Sequence, residues 1–180
     1  MIDKFSDQYA FLANSHIFEG GVEYEGVRYP TVENAFQAAK TLDLELREPF
    51  VTYTPNIANR MGKKMELRPD WDYARVQVMQ NLVKQKFNQE TLKALLLLTA
   101  DDPLTEYNRR HDNYWGMCMC PRCDGKKGLN WLGRILMTVR RELVANAATA
   151  AAAPAAVAAV DLEPEEEAAS STVEDEAEEA

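Results

Sequence analysis

The chain has 180 residues and a formal net charge of −9, but this charge is concentrated at one end. Ten acidic residues and no basic residue lie between positions 146 and 180, so residues 1–145 carry a net charge of about +1. A nearly neutral body argues against a nucleic-acid coat protein, which would show a strong basic surplus. The sequence shows no secretory signal and no apolar run near 20 residues, which predicts a cytoplasmic protein without a membrane partner.

The N-terminal third is expected to pass from extended chain into a helix. Residues 5–30 contain short β-prone runs around Gly20-Gly21 and Glu25-Gly26, which are hairpin signals. Pro30 ends this region, and Thr31 is a good helix N-cap. The helix that follows has a buried face and a second, polar face. The buried face consists of Val32, Ala35, Phe36 and Ala39, and the polar face of Glu33, Gln37 and Lys40.

The rest of the body is predicted to be mostly helical. Weaker helices are expected over 44–51 and 55–64, and clearer helices over 71–87, 90–99 and 130–143. Residues 104–107 are expected to form a strand, and 108–128 a long polar loop of functional importance. This pattern predicts one α+β domain over residues 1–145, dominated by helices and carrying a small sheet or hairpin.

Residues 146–180 are expected to form a separate tail. Alanine dominates as far as Val160, and Glu, Asp and Ser follow. Few large apolar side chains remain to offset the entropy of ordering the chain, so the tail is predicted to be disordered and solvating. Because alanine favours helix, part of it is expected to be transiently helical.

The polar face of the first helix is the first candidate site. Glu33 and Lys40 are seven residues apart with Gln37 between them, so all three side chains can point into one pocket. A carboxylate can serve as general acid or base, and a partly buried lysine can become a neutral nucleophile. From periodicity alone, a merely solvated polar face is the more common arrangement.

Two further stretches are candidates for ligand contacts. In the long loop, Asp112, Trp115 and Gly116 belong to a segment that could stack on a base or recognise a ribose. Asn130 starts the last helix between two glycines and could help to present backbone N–H groups to a phosphate. The alternatives are a turn anchored by the tryptophan and an ordinary helix cap.

A further candidate is a metal site in the long loop. Cys118, Cys120 and Cys123 lie within six residues, and the Cys-Pro-Arg-Cys turn is typical of zinc knuckles. Zinc usually takes four ligands, so His111, Asp112, His16 or a partner would have to supply the last one. The sequence thus leaves open a structural zinc or three reduced thiols.

Taken together, these stretches resemble the NADAR (YbiA-like) family over residues 5–143. The matching segments, in the family's order, are Phe11-Leu12-Ala13-Asn14, Gly26 with Tyr29 to Lys40, Met79 to Phe87, Leu104-Thr105-Glu106, Trp115-Gly116, and Gly128 to Arg140. The chain has Asn34 where the family usually has histidine, and the cysteine-bearing stretch lengthens one connection.

The resemblance implies an N-glycosidase that separates ribose from a base or amine without a required cofactor. The implied partners are a ribosylamino-pyrimidine phosphate of riboflavin synthesis, or ADP-ribose attached to guanine, free or in nucleic acid. Lys40 would attack C1 of the ribose or orient the sugar, while Glu33 moves protons. The implied substrate contacts are Asn14, Arg28, Gln37, Trp71, Glu106, Asp112, Trp115, Gly116 and Asn130.

Two other functions remain open at the level of sequence. If the family's histidine carries protons, its replacement by Asn34 could leave a non-catalytic reader of ADP-ribose or nucleotides. Alternatively, the cysteines could stabilise an interaction domain through zinc. Catalysis is favoured because a reader has no need of a nucleophile facing a carboxylate.

Overall fold

The computed structural model describes residues 1–152. Six α-helices and four short strands are formed in this part of the chain. They are β1 (Val22–Tyr24), β2 (Val27–Tyr29), α1 (Val32–Ala38), α2 (Leu44–Arg47), α3 (Pro55–Gly62), α4 (Trp71–Phe87), α5 (Glu90–Leu98), β3 (Tyr107–Asn108), β4 (Met117–Cys118) and α6 (Trp131–Ala152). The predicted α+β class with a dominant helical part is confirmed.

The first helix begins where its sequence predicts. The Thr31 side chain accepts a hydrogen bond from the Asn34 backbone N–H, which satisfies one of the free donors at the helix start. Val32, Ala35 and Phe36 are buried, as the apolar periodicity requires. Before this helix, β1 and β2 form the expected antiparallel hairpin, with Val22 opposite Tyr29.

One hydrophobic core holds the helices together. It includes Phe36 of α1, Met79 and Phe87 of α4, Leu96 of α5 and Leu136 of α6, each at most 4% exposed. Helix α1 packs against α3 on one side and α4 on the other, and α4 packs against α6. The polar face of α1 therefore lies close to the helices that pack against it.

The structure corrects the prediction in two N-terminal and central segments. Asp7–Leu12 forms a 3₁₀ helix instead of extended chain, and it buries Phe11 and Leu12. The strand expected over 104–107 is reduced to a bridge between Ile2 and Leu104, and β3 begins three residues later. Such short elements are fixed by contacts with segments far away in the sequence, and the local preference of residues for helix or strand does not reveal these contacts.

The long loop has more structure than predicted. Strand β4 lies within it and pairs in parallel with β3, and Pro121–Cys123 forms a 3₁₀ turn. Helix α6 continues to Ala152, so the first seven residues of the predicted tail are helical. The prediction of disorder otherwise falls on residues 153–180, outside the described residues. No helix within 1–152 is long and apolar enough to span a membrane.

Candidate active site

Helix α1 presents Glu33 and Gln37 on one face, Lys40 follows in the turn after the helix, and α3 completes the arrangement. Glu33 Oε1 accepts hydrogen bonds from Gln37 Nε2 at 2.9 Å and from Asn59 Nδ2 at 2.7 Å. The Glu33 backbone N–H donates to the Asn14 carbonyl at 2.9 Å. The carboxylate is thus held by two amides, which fixes its orientation.

Lys40 is half-buried in the turn that follows α1. Its Nζ donates to the Gly62 carbonyl at 3.1 Å. Burial lowers the pKa of Lys40 below its usual range, with a smaller contribution from the positive charge of Lys63, while the negative charge of Glu33 opposes the shift. Burial therefore favours the neutral amine, which is the nucleophilic form.

A close approach between α1 and α3 requires a glycine at position 62. A Cβ at Gly62 would lie 1.9 Å from Gln37 Oε1. Any side chain here would push Gln37 away, and with it the carboxylate of Glu33. Gly62 thus contributes twice to the site, through its carbonyl to Lys40 and through the space that it leaves.

Glu106 brings a second carboxyl group toward the first. Its pKa is raised to about 7, chiefly by burial, and the negative charges of Asp112 and Glu33 add to the shift while Arg110 opposes it. Arg110 Nη2 lies 3.7 Å from Glu106 Oε1. A carboxyl group with a pKa near 7 can both give and take a proton at neutral pH.

Aromatic rings border this cluster of polar groups. Trp115 packs edge-on against Phe36 of α1, with the ring centroids 5.2 Å apart, and Tyr114 lies 5.0 Å from Trp115. Arg75 of α4 covers the Tyr114 ring at 4.1 Å. Trp71 packs against the other side of Phe36 at 5.0 Å and is only 5% exposed.

A family model described as the NADAR domain matches residues 3–144. The chain belongs to the NADAR domain family. It is 38% identical to N-glycosidase YbiA of Escherichia coli (strain K12), over 77% of this chain and 84% of that protein. The NMR structure of the E. coli protein YbiA superimposes with a TM-score of 0.68 at 34% identity, covering 82% of this chain and 89% of that one.

A second relative has a different name. The riboflavin biosynthesis protein VVA0006 of Vibrio vulnificus (strain YJ016) is 35% identical over 78% of this chain, which corresponds to 37% of that longer protein. The expectations of a NADAR fold and of an N-glycosidic bond hydrolase are confirmed by these relatives.

Asn34, which stands where the resemblance to the family implies a histidine, has a structural role in this NADAR domain. Asn34 is fully buried, and its Nδ2 donates to the carbonyls of Phe50 at 2.8 Å and Tyr53 at 2.7 Å. Its Oδ1 accepts a hydrogen bond from Thr31 Oγ1 at 2.6 Å. The side chain of Asn34 thus ties α1 to the 50–53 turn, and its hydrogen bonds go to Thr31, Phe50 and Tyr53 rather than to Glu33.

Three of the predicted contact residues support the backbone of the site. Asp112 Oδ1 accepts from the N–H groups of Tyr114 and Trp115, at 3.0 and 2.8 Å. Asn130 accepts from the Glu106 N–H at 3.1 Å and donates to the Leu104 carbonyl at 2.9 Å. A Cβ at Gly116 would lie 2.3 Å from the Glu106 carbonyl, so the glycine permits the contact between these segments.

Asn14 and Arg28 lie at different distances from this cluster. Asn14 adjoins it through the hydrogen bond to the Glu33 N–H, and its Nδ2 lies 3.4 Å from Met79 Sδ. Arg28 is exposed on the hairpin, where it contacts the Gly20 carbonyl at 2.5 Å and Glu23 at 3.6 Å. The structure thus gathers the predicted α1 residues with Glu106, Asp112 and Trp115, but it leaves Arg28 apart.

Three residues near the candidate site were not predicted from the sequence. Asn59 and Gly62 come from a helix that was predicted from Pro55 in its first turn, and they contact Glu33 and Lys40. Arg75 covers the ring of Tyr114, which belongs to the predicted 111–116 segment. None of the three has a local signal in the sequence.

The cysteines lie on the far side of the same loop. The Nδ1 atom of His111 and the three Sγ atoms of Cys118, Cys120 and Cys123 all lie within 4.8 Å of one another. The loop thus gathers four side chains of the type that bind metal ions.

Proposed function

We propose that this protein hydrolyses the bond between C1 of a phosphorylated ribose and a nitrogen of a pyrimidine-type base or amine. The names of the two relatives, an N-glycosidase and a riboflavin biosynthesis protein, support a small ribosylamino-pyrimidine phosphate as the substrate. One observation carries the proposal. A half-buried lysine with a lowered pKa, Lys40, lies in the turn after the helix that carries Glu33, and the negative charge of Glu33 acts on both Lys40 and Glu106.

The first step opens the sugar ring. The carboxylic acid of Glu106 gives its proton to the ring oxygen, the bond from C1 to that oxygen breaks, and the lone pair of the substrate nitrogen forms a double bond to C1. This leaves an open-chain iminium ion and a Glu106 carboxylate. Glu33, held by Gln37 and Asn59, faces the positive charge that develops at C1.

Lys40 then replaces the substrate nitrogen. Its neutral amine attacks C1 of the iminium ion, a carboxylate carries a proton from the lysine nitrogen to the substrate nitrogen, and the bond from C1 to that nitrogen breaks. The base leaves as a free amine and a lysine–ribose Schiff base remains. Water adds to C1, and collapse of the adduct returns the amine of Lys40 and releases the ribose phosphate.

Other side chains bind and orient the substrate in this scheme. Trp115 and Tyr114 supply the ring faces for stacking on the base, and Trp71, being buried, supports them through Phe36. Asn14 and Gln37 contact the ribose in this scheme, whereas Arg28, which is exposed on the hairpin apart from the cluster, has no assigned role. Asp112, Gly116 and Asn130 act indirectly, because they fix the backbone of Glu106 and Trp115.

The chemistry proposed here uses an amine, two carboxyl groups and water. Each step is a proton transfer or an addition to C1, so no organic cofactor and no redox partner has to be supplied. The cysteine cluster takes no part in any of these steps.

A turnover assay on the purified full chain tests the proposal. A ribosylamino-pyrimidine phosphate and an ADP-ribosylated guanosine are offered separately, and the released base is measured for wild type, Glu33→Gln and Lys40→Met. We expect release from the pyrimidine substrate and a loss of about 1,000-fold or more in both variants. Lys64→Met is the matched control, because Lys64 is exposed near the same site, and it should keep full turnover.

Trapping distinguishes the covalent route from a purely electrostatic one. Borohydride added during turnover should reduce the Schiff base and leave a ribose phosphate on Lys40, which mass spectrometry of the digested protein detects. Full turnover by Lys40→Met would overturn the covalent mechanism. Release from the ADP-ribosylated guanosine alone would replace the proposed substrate class but keep the glycosidase, and binding without release from either substrate would indicate a reader.

A further inference from the structure

The segment between β3 and α6 has an interior of its own. Cys118, Cys120 and Cys123 are at most 9% exposed and form a small buried cluster separate from the main core. The surrounding side chains are mostly exposed and polar, including Arg109, Arg110, Arg122, Asp124, Lys126 and Lys127. A lobe with so little apolar surface to bury usually needs a metal or a disulfide to hold its shape.

The geometry of the cluster fits a tetrahedral metal site. His111 Nδ1 lies 3.1 Å from Cys120 Sγ and 3.4 Å from Cys123 Sγ, and all four ligand atoms lie within 4.8 Å of one another. Zinc–sulfur bonds of about 2.3 Å and zinc–nitrogen bonds of about 2.0 Å place tetrahedral ligands about 3.5–3.8 Å apart. A small contraction of the cluster is enough to enclose the ion.

The fourth ligand, which the sequence left open, is His111. The alternatives are otherwise placed, since Asp112 Oδ1 caps the Tyr114 and Trp115 N–H groups, and His16 lies within reach of the charge of Lys86. His111 also has a φ of +65°, a conformation that costs free energy for a residue with a side chain. Metal binding would offset this cost.

Hydrogen bonds to the backbone hold the four ligand residues close to one another. Asn108 Oδ1 accepts from the Arg110 and Asp112 N–H groups, which turns His111 toward the thiols. Cys118 N–H donates to Asn113 Oδ1 at 2.9 Å, and Cys123 N–H donates to the Cys120 carbonyl at 2.9 Å. The last contact closes the Cys-Pro-Arg-Cys turn in the form that zinc knuckles use.

We propose that His111, Cys118, Cys120 and Cys123 bind one structural zinc ion, which positions the loop that borders the active site. The ligands His111 and Cys118 enclose residues 112–117, the segment that includes Asp112, Tyr114 and Trp115. Trp115 packs on Phe36 of α1, so a change in the position of the loop also shifts the helix that carries Glu33 and leads into Lys40. This positioning role rests on the proposed function, but the zinc site itself does not.

Metal analysis of the full chain, purified without a metal-chelating tag and under reducing conditions, tests the site. We expect about one zinc ion per chain, lost in Cys123→Ser and retained in Met119→Ser, a control on an exposed residue between two of the ligands. Metal-free protein that fails to take up added zinc at micromolar concentration would overturn the proposal, as would full zinc retention by Cys123→Ser.

A cobalt spectrum of the wild type keeps the test independent of whether the variants fold. Cobalt(II) added to the stripped chain should give the intense visible bands of a tetrahedral site and the ultraviolet thiolate-to-cobalt charge-transfer band of a site with three sulfur ligands. Added zinc should abolish these bands. A weak octahedral spectrum without the charge-transfer band would overturn the assignment.

Kinetic measurements test whether the zinc ion positions the loop, separately from whether the protein is a glycosidase. Stripping the zinc from the wild type should raise KM for the ribosylamino-pyrimidine phosphate about tenfold or more, with recovery on adding zinc. Unchanged KM and kcat in the stripped enzyme would overturn the positioning role. If the protein binds zinc as expected but never releases a base, the proposed function fails while the zinc site stands.

Discussion

In the proposed mechanism, the protonation state of Glu106 decides which steps can occur at neutral pH. Burial and the charges of Asp112 and Glu33 raise the pKa of Glu106 to about 7. Below that pH the group is an acid that can protonate the ring oxygen, and above it the group is a carboxylate that cannot. Lys40, whose pKa is lowered by burial, loses its nucleophilic form as the pH falls.

Glu106→Gln should remove the fall of kcat/KM on the alkaline side of its pH profile. In the wild type, kcat/KM should fall as the pH rises through about 7, because the acid form of Glu106 is lost. In the variant this fall should disappear, and the maximal rate should drop about 100-fold for want of the proton donor. Measuring kcat/KM from pH 5.5 to 8.5 checks this, with exposed Glu66→Gln as the control. An unchanged falling limb in Glu106→Gln would assign the titration to another group.

A buried lysine outside the site should make stability depend on pH. Lys86 is 1% exposed, donates to the Ala13 carbonyl at 2.7 Å, and has its pKa lowered to about 7 by burial. Between about pH 7 and the ordinary lysine pKa of 10.5, the unfolded chain binds the proton that the folded chain releases. Folding stability from this group therefore rises with pH over that range.

Lys86→Met should cancel this dependence. The free energy of unfolding of the wild type minus that of the variant should increase as the pH rises from 7 to 9.5. Urea unfolding at several pH values measures the difference, with exposed Lys64→Met as the control. A difference that stays constant over the range would show that Lys86 does not titrate there in the folded protein.

Among the elements, α1 depends on one buried amide for its place. Asn34 joins the helix to the carbonyls of Phe50 and Tyr53, and the turn that contains them leads directly into α3. Since α3 supplies Asn59 and Gly62 to the site, Asn34 holds together the two helices that orient Glu33 and Lys40.

Asn34→Ala should destabilise the protein by about 2–3 kcal/mol, because it leaves two buried carbonyls without their donor. The exposed Asn56 of α3 offers a matched control, and Asn56→Ala should change the free energy of unfolding by less than about 0.5 kcal/mol. Denaturant titration of both variants checks the pair. Equal stabilities would mean that the amide's hydrogen bonds are replaced when it is removed.

Sequence alone could predict the parts of the fold that leave a local pattern, such as the periodic spacing of apolar residues in a helix. The apolar spacing of α1, α4 and α6 marks a buried face, and Thr31 marks a helix start. The 3₁₀ helix at Asp7–Leu12 and the parallel β3–β4 pair have no such signature, because contacts far along the chain fix them. The same holds for the site, where the face of α1 was predictable but Asn59, which comes from α3, was not.

For the whole molecule, we expect the charge of the C-terminal region to influence which substrates can bind. The ten acidic residues between positions 146 and 180 should repel nucleic acid at low ionic strength, and a small ribosyl phosphate far less. Helix α6 runs to Ala152, so we expect a chain that ends there to keep the described fold.

A chain ending at residue 152 should therefore match the full chain on the ribosylamino-pyrimidine phosphate. It should bind an oligonucleotide carrying ADP-ribosylated guanine more tightly than the full chain at 50 mM salt, and the difference should vanish near 500 mM. Binding and turnover measured at both salt concentrations check this. Tighter binding that persists at high salt would point to a specific contact of the C-terminal residues.

The bridge between Ile2 and Leu104 places a condition on when the enzyme becomes active. The Ile2 N–H donates to the Pro103 carbonyl and the Thr105 N–H to the Ile2 carbonyl, and the next residue is Glu106. On the ribosome, the first residues must wait until about a hundred later ones have been made and have left the exit tunnel. Closing so long a loop is a slow, entropically costly event. In a nascent chain, the carboxyl group of Glu106 can thus reach its place only when the two ends of that loop meet.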